Sequence, residues 1–509
     1  MVLSQLRCFN TRLALGCLLI AISSFNYGFD NQAFATTQAM DSFDRRFGVY
    51  SEKSKTYILE PSWLSLFNSL NYIGFAFGVL VGSFVAARFG RRWCMFSMSV
   101  YALVTATIAV TSRNRDQIMA ARVLNYVYVG MELAVVPAFQ SEIVPAPARG
   151  FIVGSYQLSL IVGGFVINAV CKGTSTIQDD RAWRIPLGLF YIVPSIVLSL
   201  IFFVPESPRW LLMNGREDEA WRNLTLLRQG KFTEEEIKHE FRELQAALEN
   251  EVEKGNFKEI FQGVNFKRTT LVVFVNFFQQ ATGQAFASQY GTIYIKSLGT
   301  INPFDMNLVN AAINIVSISV NLAIVDKVGR RPLLLLGAAI QTAALMTMGG
   351  LGTPETITPS IKIGIVSTMA VMITGFSIGW APSTHVVTTE LPALKLRDDT
   401  LRVGFFVNVA MNFVVNFSIP YLLNDQYAGL QSKVGFIFGS LAFLCFIFTY
   451  FFIPECKGKT LEQVDWLFHQ KVPLRNFGSY EVPDLVNQQR DEDSDFQEDH
   501  TISQKVANV

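Results

Sequence analysis

Apolar residues in this chain come in long blocks rather than in strict alternation, and the blocks match the thickness of a bilayer's hydrocarbon core. Runs able to cross about 30 Å at about 1.5 Å per helical residue lie near 13–33, 62–86, 93–112, 117–139, 151–171 and 185–204. A second set lies near 270–295, 307–325, 332–351, 362–385, 401–423 and 434–453. The pattern predicts an all-α membrane protein with twelve transmembrane helices. Residues 1–204 form one six-helix bundle and 269–453 the other. Between them, 205–268 is a polar linker that predicts amphipathic helices over Glu217–Leu227 and Thr233–Glu251. The second carries Ile237, Phe241, Leu244 and Leu248 on one stripe and opens on a Thr233–Glu236 capping box. Residues 454–509 form a tail, acidic and expected to be disordered from about 477, with Asp491-Glu492-Asp493-Ser494-Asp495 at its heart. Leu13–Phe29 has the length of a secretory signal, but no small-residue cleavage pattern follows it, so it reads as the first span.

Polar landmarks break the apolar blocks, and they occur twice. Gly90-Arg91-Arg92 returns as Gly329-Arg330-Arg331-Pro332, Glu142…Arg149 as Glu390…Arg397, and Pro205-Glu206-Ser207 as Pro454-Glu455-Cys456. Three landmarks in one order at a nearly constant offset mean two related halves, the architecture of many transporters.

Composition removes other classes. Half the residues are hydrophobic and only 16% are charged, against about 25% in a soluble domain. A net charge of +1 leaves no basic excess for nucleic acid. The six cysteines and four histidines show no metal-ligand spacing, no phosphate loop appears, and no nucleophile–base set stands together. The expectation is a non-enzyme without metal or cofactor. Placing both termini, the linker and the turns at 87–92 and 326–331 on one side gathers most of the Lys and Arg there. The positive-inside rule makes that side the cytoplasm. No retention address ends the chain, so the plasma membrane is the default location.

Further landmarks are Gly28-Phe29-Asp30 in span 1, Arg88-Phe89 before Gly90, Arg122 in span 4, Pro208-Arg209-Trp210, Gln279-Gln280…Gly283, Asp326-Lys327-Val328 before Gly329, and Trp380-Ala381-Pro382. Together with the repeats, they resemble the sugar porter family of the major facilitator superfamily over about residues 10–470. Phe286-Ala287-Ser288-Gln289-Tyr290 and Pro420-Tyr421-Leu422-Leu423-Asn424 look like fungal hexose and disaccharide permeases. The resemblance implies the major facilitator fold of two pseudo-symmetric bundles. It also implies a monomer in the lipid bilayer that moves a sugar or polyol by alternating access as a proton symporter. A passive facilitator, a quinate or polyol porter, and a nutrient receptor on a transporter scaffold are the alternatives. Some positions depart from the family: Ala87 for an acidic residue, Tyr126 and Tyr128 in a glycine ladder, Ala285 for Asn, and His385 for an aromatic.

Asp30 and Arg122 are charges inside spans, costly unless paired or hydrated. The resemblance implies that they couple proton movement to opening; a fixed ion pair near the rim is the other reading. Glu132, also in span 4, is a second proton site or a structural partner. Sugar hydroxyls both donate and accept, and neutral amides offer both functions without the desolvation cost of a charge. Gln157, Gln279, Gln280, Gln284 and Asn408 fit that need, and the resemblance places all but Gln284 at sugar-contacting positions. Amides also join membrane helices. Trp380, ahead of a Pro382 expected to break span 10, and Tyr290 are candidates to stack on a pyranose or simply to pack. A cytoplasmic gate is expected from Arg88, Arg91, Arg92, Glu142, Arg149 and Glu206 and their repeat Asp326, Arg330, Arg331, Glu390, Arg397 and Glu455, paired across the seam between halves when that side is closed.

Overall fold

The computed structural model of the protein describes residues 9–52, 55–249, 256–354, 356–459 and 461–480. Arg149 and Asp326 are described in their backbone alone, and the acidic run at 491–495 lies outside the described residues. Spans 1 to 6 are Thr11–Thr37, Pro61–Phe89, Arg91–Val110, Arg115–Ile143, Ala146–Thr174 and Arg181–Phe203. Spans 8 to 12 are Pro303–Val328, Arg330–Leu351, Pro359–Glu390, Arg397–Leu423 and Val434–Phe452. Span 7 comes in three pieces, Gly263–Ala281, Gln284–Gln289 and Gly291–Leu298. Its first break is at Gly283, which takes a left-handed φ of 84° that an L side chain resists.

Span 10 was the one expected to break, at Pro382, and it does not. A π-turn over Phe376–Trp380 lets the Ala381 N–H reach back five residues to the Phe376 carbonyl. The extra residue shifts the bonding frame, so the N–H that Pro382 lacks leaves no gap in the helix.

The two halves start spans 3 and 9 by one device. Gly90 and Gly329 have φ of 99° and 106°. Both oxygens of Glu206 accept from the backbone N–H groups of Arg91 and Arg92, each at 3.1 Å. Glu455 accepts from Arg330 and Arg331 at 3.2 and 3.0 Å. Each carboxylate satisfies the orphan donors of a helix start and meets the positive end of its dipole. A Cβ on either glycine would come within 2.5 Å of the capping oxygen. The repeated Gly-Arg-Arg and Pro-Glu motifs are thus two parts of one joint.

The linker forms helices Glu217–Arg228 and Glu234–Glu249. Buried Arg228 forks onto Glu240 at 2.7 and 2.8 Å and donates to the Ile143 carbonyl, fastening the linker to the foot of span 4. After span 12, helix Leu461–His469 docks through Arg268–Asp465 at 2.5 Å. Phe477 is fully buried against Phe468. This aromatic anchor follows the helix, and the tail expected to be disordered from about 477 lies, beyond 480, outside the described residues.

The halves are clasped at the end opposite the basic turns. There Lys296 of span 7 bonds both Asp41 and Asp44 of the short helix Asp41–Phe47, each at 2.8 Å. Lys172 meets Asp305 at 2.8 Å, and Asn307 donates to Thr36 and Asn168 at 3.0 Å. Burial pushes the Asp44 carboxyl up to about 6 even with Lys296 beside it.

Candidate functional site

Asp30 and Arg122 are both buried, 1% and 0% exposed, seven residues from the clasped end of their spans. Arg122 Nη1 stands 3.8 Å from Asp30 Oδ2: a charge contact rather than a hydrogen bond. The guanidinium lies 4.5 Å from the ring centres of both Phe34 and Tyr126. Two aromatic faces thus hold the cation whether or not the carboxylate is charged. Arg122 also donates to the Tyr126 hydroxyl at 3.3 Å; that hydroxyl donates to Asn31 at 2.7 Å, and Asn31 accepts from Gln289 of span 7 at 3.1 Å. A line of four side chains therefore runs from the buried pair in one half to the broken span of the other.

Beside that line, the seam between the halves holds an open cleft, about 600 Å³ when the open solvent it contains is included. Spans 1 and 5 give it Gly28, Asn31, Gln32 and Asn168; spans 7 and 8 give it Gln284, Ser288, Asn307, Asn310 and Asn314. Its described lining residues include no Lys, Arg, Asp or Glu. Such a lining can exchange hydrogen bonds with a neutral polyhydroxyl solute and offers no counter-charge to an ion.

Of the residues singled out for solute, Gln284 lines this cleft. Gln279, Gln280 and Asn408 form a second amide group: Gln280 donates to Asn408 at 3.0 Å, and Asn408 donates to Gln279 at 2.6 Å. Asn276 and Thr388 extend it. Gln157 is half-buried on span 5. The stacking role of Trp380 is not borne out here. Its indole is fully buried and donates at 3.1 Å to the Leu334 carbonyl on span 9, within its own half. Tyr290 is likewise packed, its hydroxyl donating to the Asn416 carbonyl at 2.7 Å.

At the basic end, Arg91 forks onto Glu142 at 2.8 and 2.9 Å, and Arg330 meets Glu390 at 3.1 Å. These pairs lie within one half each, not across the seam. Glu206 and Glu455 are helix caps, with Arg92 3.9 Å from Glu206. Arg331 donates to the Tyr450 carbonyl; Arg88 is exposed and Arg397 half-buried.

The model of a family described as "Sugar (and other) transporter" matches residues 16–468. The chain belongs to the sugar transporter family. It is 31% identical over 464 residues to the major facilitator-type transporter ecdD of Aspergillus rugulosus, covering 88% of this chain and 86% of the relative. It is 30% identical over 503 residues to hexose transporter HXT8 of Saccharomyces cerevisiae, covering 94% and 87%. Among solved structures, the inward-open xylose transporter XylE from E. coli aligns at a TM-score of 0.74 with 21% identity, covering 89% and 99%. This sugar transporter family member thus has the major facilitator fold and is a membrane transporter, not an enzyme.

The polar face of span 8 is not among the landmarks of the sequence. Asn307, Asn310 and Asn314 recur at helical spacing, and that periodicity within an apolar run is the signal that finds them. Asn31 and Gln32 follow Asp30 directly, and no periodicity of their own sets them apart in the sequence.

Proposed function

We propose that the protein is a proton symporter for a neutral sugar or sugar-like solute, working by rocking its two halves around the seam cleft. The observation that carries this reading is the buried Asp30–Arg122 pair joined by Tyr126 and Asn31 to Gln289 beside a cleft rich in amides. Protonating Asp30 removes the partner of Arg122. The line then changes the footing of span 7, so proton and solute bias the same movement. Relatives named as hexose transporters support the solute class. A neutral hexose, pentose, disaccharide or polyol fits the lining better than quinate, whose carboxylate would call for a cation.

In this reading the basic-turn end faces the cytoplasm, both termini with it, in the plasma membrane. The clasp of Lys296 and Lys172 on Asp41, Asp44 and Asp305 is the closed outer gate. The pairs Arg91–Glu142 and Arg330–Glu390 belong to an inner gate whose halves have parted, with Arg88, Arg149, Asp326, Arg331 and Arg397 as its further charges. Gln157, Gln279, Gln280, Gln284 and Asn408 make the solute contacts along the path. The test is uptake of a radiolabelled panel of hexoses, pentoses, disaccharides and polyols in transporter-deficient cells, with and without a protonophore. Accumulation of at least one neutral sugar that collapses with the protonophore is the expected result. Protonophore-insensitive uptake would mean a passive facilitator.

A further inference from the structure

Glu132 is fully buried near the middle of span 4, and nothing in the coupling described above uses it. Its Oε2 accepts from the Tyr156 hydroxyl of span 5 at 3.2 Å. Its Oε1 has no hydrogen-bond partner among the described residues. Tyr27 and Ser24 of span 1 and Tyr128 of span 4 are its other polar neighbours. Span 2 meets this stretch with Gly78 on Val127 and Gly82 on Met131. On span 3, Cys94 and Tyr101 turn to the Gly82 and Leu124 carbonyls. Among the described residues, Asp30 and Arg122 bring the further charge, and Arg122 already faces Asp30 between two rings.

The half thus buries two carboxyl groups and one guanidinium in this region. With both acids ionised, one negative charge would sit in a low dielectric with only neutral hydroxyls beside it, a state that neutralises by binding a proton. Glu132 is ten residues, about 15 Å along the helix, from Arg122 toward the basic turns. Glu142, partner of Arg91, is ten residues further. Glu132 therefore stands midway between the coupling pair and the inner gate.

We propose that Glu132 is a second proton-carrying site, the step between Asp30 and the basic-turn side. The transfer is balanced: protonated Asp30 gives its proton to the Glu132 carboxylate by way of Tyr27 and Tyr128, which neighbour both acids, leaving Asp30 ionised and Glu132 neutral. Asp30 then recovers its attraction to Arg122. Glu132 next releases the proton to water on the basic-turn side.

This inference rests on the symport reading, and one assay in proteoliposomes separates the two. In wild-type protein, adding the transported sugar outside under de-energised conditions must move protons inward; a wild type that moves none defeats symport and this proposal with it. Given that movement, Glu132→Gln, which keeps volume and polarity but holds no exchangeable acid proton, is expected to lose it at least tenfold. Sugar exchange at equal pH on both sides should stay within about twofold, and Glu132→Asp should restore proton movement in part. Full proton movement in Glu132→Gln would reduce Glu132 to a packing group and overturn the proposal, leaving symport intact. If Glu132→Gln shows no exchange either, wild-type protein treated with dicyclohexylcarbodiimide, which adds to protonated carboxyls in apolar surroundings, decides. Mass mapping is expected to find an adduct on Glu132 that fades as pH rises, and its absence at acid pH would refute the assignment.

Discussion

Asp30→Asn is expected to abolish accumulation of sugar against its gradient while sparing exchange of labelled for unlabelled sugar. The amide keeps the size of the carboxyl and a carbonyl able to accept from Asn125, which neighbours Asp30 in the native site. It cannot ionise, so no proton cycle remains to drive the line through Arg122, Tyr126 and Asn31. Removing one partner of a buried pair usually costs about 3–5 kcal/mol. Here the two ring faces on Arg122 and its bond to the Tyr126 hydroxyl offset part of that cost, by up to about 2 kcal/mol for a desolvated cation–π contact. The variant should therefore fold. Arg122→Leu should uncouple as well, since Asp30 without its cation stays protonated. Uptake with a pH gradient imposed, beside exchange without one, checks both. If Asp30→Asn accumulated sugar as wild type does, the pair would be a fixed structural bridge.

The second large effect concerns packing. Gly28→Ala adds one methyl group where span 1 crosses span 5, and its Cβ would lie 1.7 Å from the Leu160 carbonyl oxygen. The obstacle is backbone, not the end of a flexible side chain, so the two spans must separate. Membrane helices gain their contact from such close approach. The cost should reach or exceed the ~1–3 kcal/mol of ordinary overpacking. Gly173→Ala, in the same span 5, meets nothing within 4 Å. Thermal unfolding in detergent should show a sharp drop in midpoint for Gly28→Ala and almost none for Gly173→Ala. Equal midpoints would contradict the packing described here.

Much of this molecule could be read from the chain because the bilayer imposes lengths. Twelve apolar blocks and the repeated Gly-Arg-Arg turns give two halves without knowledge of any contact. Helix direction is harder. The π-turn over Phe376–Trp380 turns Trp380 by one residue's worth of angle, and no pattern of apolar positions announces such a shift. Span 10 stays continuous at Pro382 because the bonding frame slips ahead of it, whereas span 7 breaks at Gly283, whose left-handed φ no apolar pattern marks. Glu206 and Glu455 were legible as paired landmarks. Their service as caps was not, because it depends on a loop returning to a helix start far away in sequence. The acid pairs at the basic turns close within each half, and sequence repetition alone cannot tell closure within a half from closure across the seam.

The most direct test of the whole account joins the clasped end covalently. Lys172→Cys and Asp305→Cys replace an exposed pair from opposite halves, 2.8 Å apart at their charged atoms. The described native cysteines are buried and so shielded from a polar thiol reagent. A short bifunctional reagent added from outside the cell should link the pair. Sugar transport should then stop and return on cleavage of the linker by a reductant. A linked protein that transports at the unlinked rate would show that the halves need not part at that end, and alternating access around this seam would be wrong.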